Sequence, residues 1–352
     1  MRTGFAELPL HQGRAPRWLF ERMVKLARAI IEVMVGEQGS DEFLRRVSDP
    51  YWFQAFGSVL GFDWHSSGVT TTVCGAMKEG TKDISEDLGI FFCGGKGGAS
   101  RKTPSQISEI CEAMSIDPCG LIYASKTSAK VDNTCVQDGY NLYHHMFVFT
   151  KNGDWSVIQQ GMNPDNHFAR RYHWLSLNLQ SYVNEPHTAI CCDKWKNSLN
   201  MVAEESAASR DFVTEIAREN PDRIIRETEK MLKMPARHPV LKLDISRRYF
   251  HKILLKTYEK APDSFENLIN IEGVGPKTLR ALALIAELLY GASPSFRDPA
   301  RYSFAHGGKD GFPFPVDKST YNTSIAFLET AIKRARIGEN DRLRALKKLT
   351  YL

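Results

Sequence analysis

Apolar positions recur along this chain in two rhythms, and the place where one gives way to the other divides it. Between Pro16 and Val35 the residues Trp18, Leu19, Met23, Leu26, Ala27, Ile30, Ile31 and Met34 fall at helical spacing, and Pro16 suits a first-turn position. A long helix is expected there, and a second helical stretch after Ser40. From Gly57 to about Cys192 the texture is β-rich, in the segments GVTTTVCGAM, LGIFFC, LIYA, YNLYHHMFVFT and WSVIQQGM. The last two flank KNGD, where Asn152-Gly153 offers the positive φ values of a two-residue hairpin turn. Short helices are expected at Pro104–Met114 and around Ala169–Leu177.

Past Cys192 the β rhythm stops. Ser206–Lys233 reads as mixed-charge helix, and KMPARHP, with its two prolines, as a connection. Helices follow from about Asp244 to Lys260 and through SFENLINIEGVGPKTLRALALIAELLYG, and the closing AIKRARIGENDRLRALKKL is amphipathic and basic. The pattern predicts the α+β class: a mixed α/β domain over residues 1–200, a helical linker over 201–240 and an all-helical domain over 241–352.

Composition refines this picture. With 352 residues, 42% hydrophobic and 25% charged, the chain has apolar material for two packed cores. Its net charge of +5 is uneven: from Met201 onward there are 26 Lys+Arg against 20 Asp+Glu, and before it 20 against 21. The basic excess sits in the C-terminal part, which suits a phosphate-rich partner. The seven cysteines, Cys74, Cys93, Cys111, Cys119, Cys135, Cys191 and Cys192, form no CxxC pair and are odd in number, so reduced thiols are expected, without a disulfide framework or a zinc site. The start MRTGFAELPL lacks a charged-then-apolar signal pattern, and no run approaches 18 apolar residues. A soluble cytoplasmic protein without a membrane partner is the expectation.

In SFENLINIEGVGPKTLRALAL a short apolar helix (Phe265, Leu268, Ile269) meets a turn at Gly273-Val274-Gly275, and a second helix starts at Pro276. Glycines at 273 and 275 leave the turn backbone bare. Amides at the next helix's N-terminus can then approach an anion with the helix dipole behind them, and Lys277 or Thr278 can add to the contact. The stretch Phe265–Gly291 resembles a helix-hairpin-helix element, the sequence-independent backbone-binding module of repair glycosylases, nucleases, ligases and polymerases. An αα-hairpin without a ligand is the competing reading.

The resemblance extends to the endonuclease III and 8-oxoguanine glycosylase group, which carries a lysine two residues after the second hairpin glycine and a later aspartate in a PVD-like context. Lys277 occupies the first position, and FPFPVDKSTY offers Asp317 for the second, with 39 residues between them. That likeness implies an amine attacking C1′ of a flipped-out nucleotide, with the carboxylate stabilising charge on the sugar. No cysteine follows residue 192, which excludes the group's C-terminal iron–sulfur cluster.

The first two hundred residues offer rival chemistry. LGIFFCGGKGGASRKTPSQ sets a glycine-rich loop before a helix that Thr103 can cap, with Gln106 closing a capping box; Lys96, Arg101 and Lys102 make an anion site or a solvated loop. It satisfies neither GxxxxGK[ST] nor GxGxxG. GFDWHSSG groups Asp63 and His65. YHHMF and VIQQGMNPDNHFARRYHW group His144, His145, Gln159, Gln160, Asn163, Arg170, Arg171 and His173. Asp63, Asp87 and a histidine, with Gln160 nearby, can bind Mg²⁺ or Mn²⁺ for phosphodiester hydrolysis. Arg170-Arg171 among His167, Tyr172, His173 and Trp174 reads as a basic–aromatic surface for nucleic acid. MRTGFAELPLHQGRAPRWL, GFDWHSSG, QQGMN and ARRYHWLS are together similar to an uncharacterised prokaryotic family, mainly archaeal. That likeness implies an architecture and no activity.

The sequence therefore supports a DNA-acting protein, with RNA as the alternative partner, in three versions: a glycosylase/lyase-like repair enzyme using Lys277 and Asp317, a metal-dependent nuclease with an N-terminal site, or a non-catalytic binding protein. A small-molecule enzyme with an accessory hairpin is the remaining class.

Overall fold

The computed structural model describes residues 15–62, 67–165, 168–191, 197–231, 246–300 and 318–349. The amphipathic start gives α1 (Arg17–Gln38), with Pro16 as its N-cap, then α2 (Ser40–Ser48) and α3 (Pro50–Val59), the last capped by Asp49, whose carboxylate accepts from the Tyr51 and Trp52 amides. Next come α4 (Gly68–Thr81), α5 (Ser85–Leu88), β1 (Ile90–Lys96), α6 (Gly98–Arg101), α7 (Thr103–Ala113) and α8 (Cys119–Thr134). The strands β2 (Val136–Gln137), β3 (Asn141–Thr150), β4 (Trp155–Met162), β5 (Ala169–Leu175), β6 (Ala189–Cys191) and β7 (Leu199–Asn200) follow. The chain continues with α9 (Ala207–Ile216), α10 (Pro221–Met231), α11 (Arg247–Lys260), α12 (Phe265–Asn270), α13 (Pro276–Tyr290), α14 (Lys318–Arg334) and α15 (Glu339–Leu349).

The class is α+β with a C-terminal helical region. Five strands form one antiparallel sheet in the order β1-β3-β4-β5-β6, and β2 pairs with β7. Alternation along the strands sends side chains to two faces, and both faces are covered. Phe92, Met146, Val148, Ile158 and Leu175 pack with α1 to α4 and with Leu328, Ile332, Ala345 and Leu349 of α14 and α15. Phe91, Cys93, Phe147, Phe149, Val157, Tyr172 and Trp174 pack with α7 and α8 and with Leu268, Leu279, Leu282 and Ile285 of α12 and α13. Early and late helices thus share one core on one side of the sheet, and the glycine hairpin shares a core with the strands on the other.

Three segments depart from the expected elements. GVTTTVCGAM is helix α4, because Val69, Thr70, Val73, Cys74, Ala76 and Met77 fall on one buried face against α1, and packing overrides the β preference of Val and Thr. LIYA lies within α8, buried at Leu121, Ala124, Ser125, Ser128 and Val131 with helical spacing. Ala169–Leu175 is a strand, buried at every position, where a helix was expected.

The β3–β4 hairpin forms as expected, with a different turn. Only Gly153 has positive φ (89°), and the Thr150 amide donates to the Asp154 carbonyl across a three-residue loop. One left-handed glycine therefore closes it. Cys74, Cys93, Cys111, Cys119, Cys135 and Cys191 are free thiols, all buried except Cys119; Cys192 lies outside the described residues. Among the described residues no helix is long and apolar enough to cross a membrane.

Candidate nucleic-acid interface and the buried polar rows of the sheet

The hairpin is built from both sides. Ser264 caps α12, its hydroxyl accepting from the Asn267 amide, and Phe265, Leu268 and Ile269 turn inward. Gly273 then takes φ 96°, a conformation L side chains rarely adopt, and Gly275 caps α13 with extended backbone (φ −130°, ψ −175°). Pro276 occupies the first turn, where its missing N–H removes no helical bond. Neighbouring elements hold the turn in place. The Tyr249 hydroxyl of α11 donates to the Gly273 carbonyl at 3.1 Å, and Gln137 Nε2 of β2 donates to the Pro276 carbonyl at 2.9 Å. Arg280 Nε donates to Gln137 Oε1 at 2.9 Å, Thr127 Oγ1 of α8 donates to Asn270 Oδ1 at 3.3 Å, and Tyr123 bonds Glu266.

Of the predicted contacts here, Gly273 and Gly275 are partly exposed and Lys277 is exposed. Thr278 turns inward: it is buried, and its hydroxyl has no hydrogen-bond partner among the described residues, so it does not belong to the exposed surface. Asp317 lies outside the described residues. The sequence reading missed Lys252, Lys256 and Lys260 on α11. Their spacing of four was the signal, in HKILLKTYEK.

On the sheet, Arg170 and Arg171 do not form the expected surface, because both are fully buried in β5. Arg170 meets Asp138 at 2.9 Å and Asp298 through two bonds of 2.9 and 2.8 Å, with its guanidinium 4.6 Å from the Tyr140 ring. The Tyr172 hydroxyl donates to Asp138 at 2.7 Å. Burial pushes the Asp138 carboxyl up, against the pull of Arg170. This cluster ties the segment after α13 to the sheet, beside the bridge of Ser295 to Asn200.

Arg171 points to the opposite face, under α3 and α4. Its Nη1 and Nη2 donate to Gln54 Oε1 at 3.2 and 3.1 Å, its Nε donates to His173 Nε2 at 2.9 Å, and it lies 4.6 Å from the Phe53 ring. The strand register places Lys96, His144, Gln160, Arg171 and Cys191 in one row across the sheet. Four predicted site residues, Lys96, His144, Gln160 and Arg171, are thus brought together, with His173 one step along the same face. Gln160 Nε2 donates to the Ser67 carbonyl at 2.8 Å and bonds Tyr143, whereas Gln160 Oε1 and both His144 ring nitrogens are buried without a hydrogen-bond partner among the described residues. Burial, with His145 and Lys96 adding to it, holds His144 down to about 3, and burial with Arg171 holds His173 well below the ordinary histidine range.

Asp87 does not join this row. It is exposed on α5, before β1 begins, whereas His144 pairs with Lys96 at the far end of β1, about 20 Å away at strand spacing. Asp63 and His65 lie outside the described residues, and among the described residues no group of three His, Cys, Asp or Glu could hold a metal ion.

On the other face a second chain of bonds runs through His145 and Gln159, joined by Ser125, Asp132 and His187, which the sequence reading did not single out. Asp132 Oδ2 accepts from Gln159 Nε2 at 2.6 Å and from Trp174 Nε1 at 3.1 Å, and Oδ1 meets His187 Nε2 at 2.5 Å. The Gln159 amide therefore turns its nitrogen to the carboxylate and its oxygen to His145 Nδ1, 3.0 Å away. His145 Nδ1 carries the proton, and Nε2 accepts the Ser125 hydroxyl at 2.9 Å. Burial pushes His145 down to about 4. These satisfied groups lock α8 to the sheet.

The glycine-rich loop also differs from expectation. Gly94 and Gly95 belong to β1, and the capping box is absent: Thr103 Oγ1 donates to the Ser100 carbonyl at 2.7 Å, and Gln106 Oε1 accepts from the Gly94 amide at 2.8 Å and from Lys78 Nζ at 2.9 Å. Lys96, Arg101 and Lys102 are exposed around α6, with Lys96 Nζ 5.7 Å from the Tyr143 ring.

A family model described as protein of unknown function (DUF763) matches residues 4–316. The chain belongs to that family. The match takes in every strand of the sheet and the whole glycine hairpin, so the family's extent includes both the hairpin turn and the buried rows. No curated protein and no solved structure matches.

Proposed function

We propose that this member of the family is a DNA-binding protein that holds the sugar–phosphate backbone through the α12–α13 turn, as a helix-hairpin-helix element does, within a repair or processing role. The observation that carries the reading is the turn itself. Gly273 at positive φ and Gly275 at the N-cap present bare backbone at the start of a 15-residue helix, while Tyr249 and Gln137 donate to the carbonyls of Gly273 and Pro276. Amides so placed suit a phosphate oxygen, and the helix dipole adds to the attraction.

Gly275 supplies the test. A Cβ built there meets only the Gly273 carbonyl at 4.0 Å, and its φ of −130° is open to any residue. Gly275→Val therefore keeps the fold and places a branched side chain where a phosphate would approach. Duplex binding that weakens with salt in the wild type, and that Gly275→Val reduces, is the expected result. Undiminished binding by the folded variant would remove the turn from the interface. Glycosylase/lyase chemistry at Lys277, exposed in the first turn of α13, is the finer form of the proposal. Borohydride trapping on abasic or oxidised-base DNA should yield a Lys277 adduct, and its absence with each substrate leaves a binding protein.

A further inference from the structure

Beside the turn, α11 carries Lys252, Lys256 and Lys260 at successive intervals of four, which aligns them on one face of the helix. Lys256 Nζ lies 2.8 Å from Glu272 Oε2. All three lysines act on that carboxylate, and the Lys256 hydrogen bond and charge, then Lys260 and Lys252, draw it below its usual range. Glu272 is 92% exposed and immediately precedes Gly273, so an isolated surface pair of this kind adds little to folding. Its position matters more. Its carboxylate joins Lys256 one residue before the bare turn, with Lys252 and Lys260 near enough to act on it and Tyr249 of the same helix bonded to the turn's carbonyl.

We infer that Lys252, Lys256 and Lys260 form a second, phosphate-binding half of the hairpin interface, and that Glu272 occupies it in the unbound protein as an internal stand-in for a phosphate. The inference rests on the hairpin reading above and extends it to a different helix. A polynucleotide strand following the turn displaces the Glu272 carboxylate from Lys256 and lies along the lysine row. The bound partner is a polyanion with repeated charges, since three cations in line on about 12 Å of helix exceed what one phosphate can meet. Glu272 sets the threshold: a ligand must outcompete a tethered carboxylate before the row is available.

Binding of the full chain to a fluorescent 20-base-pair duplex, measured by anisotropy from low to physiological salt, tests this. Glu272→Gln should tighten binding about three- to fivefold at low salt, the effect expected for one repulsive charge removed near a phosphate at high dielectric. Lys256→Gln should weaken it and flatten the log–log salt dependence by about 0.9, one counterion fewer, and Lys252→Gln and Lys260→Gln should act in the same direction. All four side chains are at least partly exposed, so melting temperatures close to wild type confirm that each variant is folded. If Glu272→Gln leaves affinity unchanged while Gly275→Val still impairs binding, the stand-in role is wrong and the hairpin reading survives. If the wild type shows no salt-sensitive binding, the hairpin reading falls first and this inference with it.

Discussion

The tripeptide Arg-Arg-Tyr occurs twice in this chain, at 170–172 and at 247–249, with opposite outcomes. In β5 all three residues are fully buried; at the start of α11 all three are exposed. The difference lies in what surrounds each. β5 is flanked by β4 and β6 in a sheet covered on both faces, so a strand's alternation sends Arg170 and Tyr172 into one core and Arg171 into the other. α11 buries a single stripe, Phe250, Ile253, Leu254 and Thr257, and everything off that stripe faces water. A basic–aromatic motif is exposed surface in the second setting and a core network in the first.

The largest expected effect tests the buried member. Arg170→Met removes a buried guanidinium that bonds both Asp138 and Asp298, so chemical denaturation should show a loss of about 3–5 kcal/mol. Arg248→Met, in the exposed copy of the tripeptide, should change stability by no more than about 0.5 kcal/mol. Equal effects from the two would mean that burial does not separate these motifs.

Acid sharpens the same contrast. His144 and His145 are held neutral in the fold, near about 3 and about 4, whereas an unfolded histidine titrates near about 6.5. Below pH 6.5 the unfolded state binds more protons, so stability falls as pH drops towards the folded values, by about 1.4 kcal/mol per pH unit for each histidine. Urea midpoints measured between pH 7 and pH 4.5 should show this slope. His144→Phe should flatten it by one proton and, because His144 has no hydrogen-bond partner among the described residues, should cost little at pH 7. His145→Phe should flatten it equally but destabilise at neutral pH, since Ser125 and Gln159 lose their partner.

How far the sequence made all this visible follows from the same physics. Long helices with one apolar stripe, such as α1 and α13, were legible, as was the β3–β4 hairpin. β5 was misread because a strand buried on both faces has no alternation to show, and its polar residues look like surface until their partners are known. Those partners, Asp138 and Asp298, lie 32 and 128 residues from Arg170, a separation that no local pattern encodes. The α4 error has the reverse cause: local β-branched preference pointed to a strand, and packing on α1 decided otherwise. At the hairpin the glycines were legible from spacing alone, whereas the relation of Lys256 to Glu272, across 16 residues and a turn, emerged only with the fold.

Gly275→Val compares the exposed hairpin with the core at intermediate scale. A loss of about tenfold in duplex affinity, about 1.4 kcal/mol, with an unchanged urea midpoint would place the interface on the turn and not on β5. A companion change, Arg171→Gln in β5, should do the reverse, lowering the midpoint while any folded fraction keeps its affinity.

The two tyrosines give the finest test. Tyr172 donates to Asp138 inside the core, and Tyr172→Phe withdraws a donor from a buried carboxylate, worth about 1.5–3 kcal/mol. Tyr249 is 48% exposed, and its hydroxyl reaches the Gly273 carbonyl, which water can also solvate. Tyr249→Phe should therefore cost about 0.5 kcal/mol or less in stability. Its effect on duplex binding should be a reduction of about twofold, because the turn loses one of the bonds that hold its carbonyls away from the amide side. A Tyr249→Phe protein with full affinity would show that α13 and Gln137 alone keep the turn in register, and would confine the contribution of α11 to its lysines.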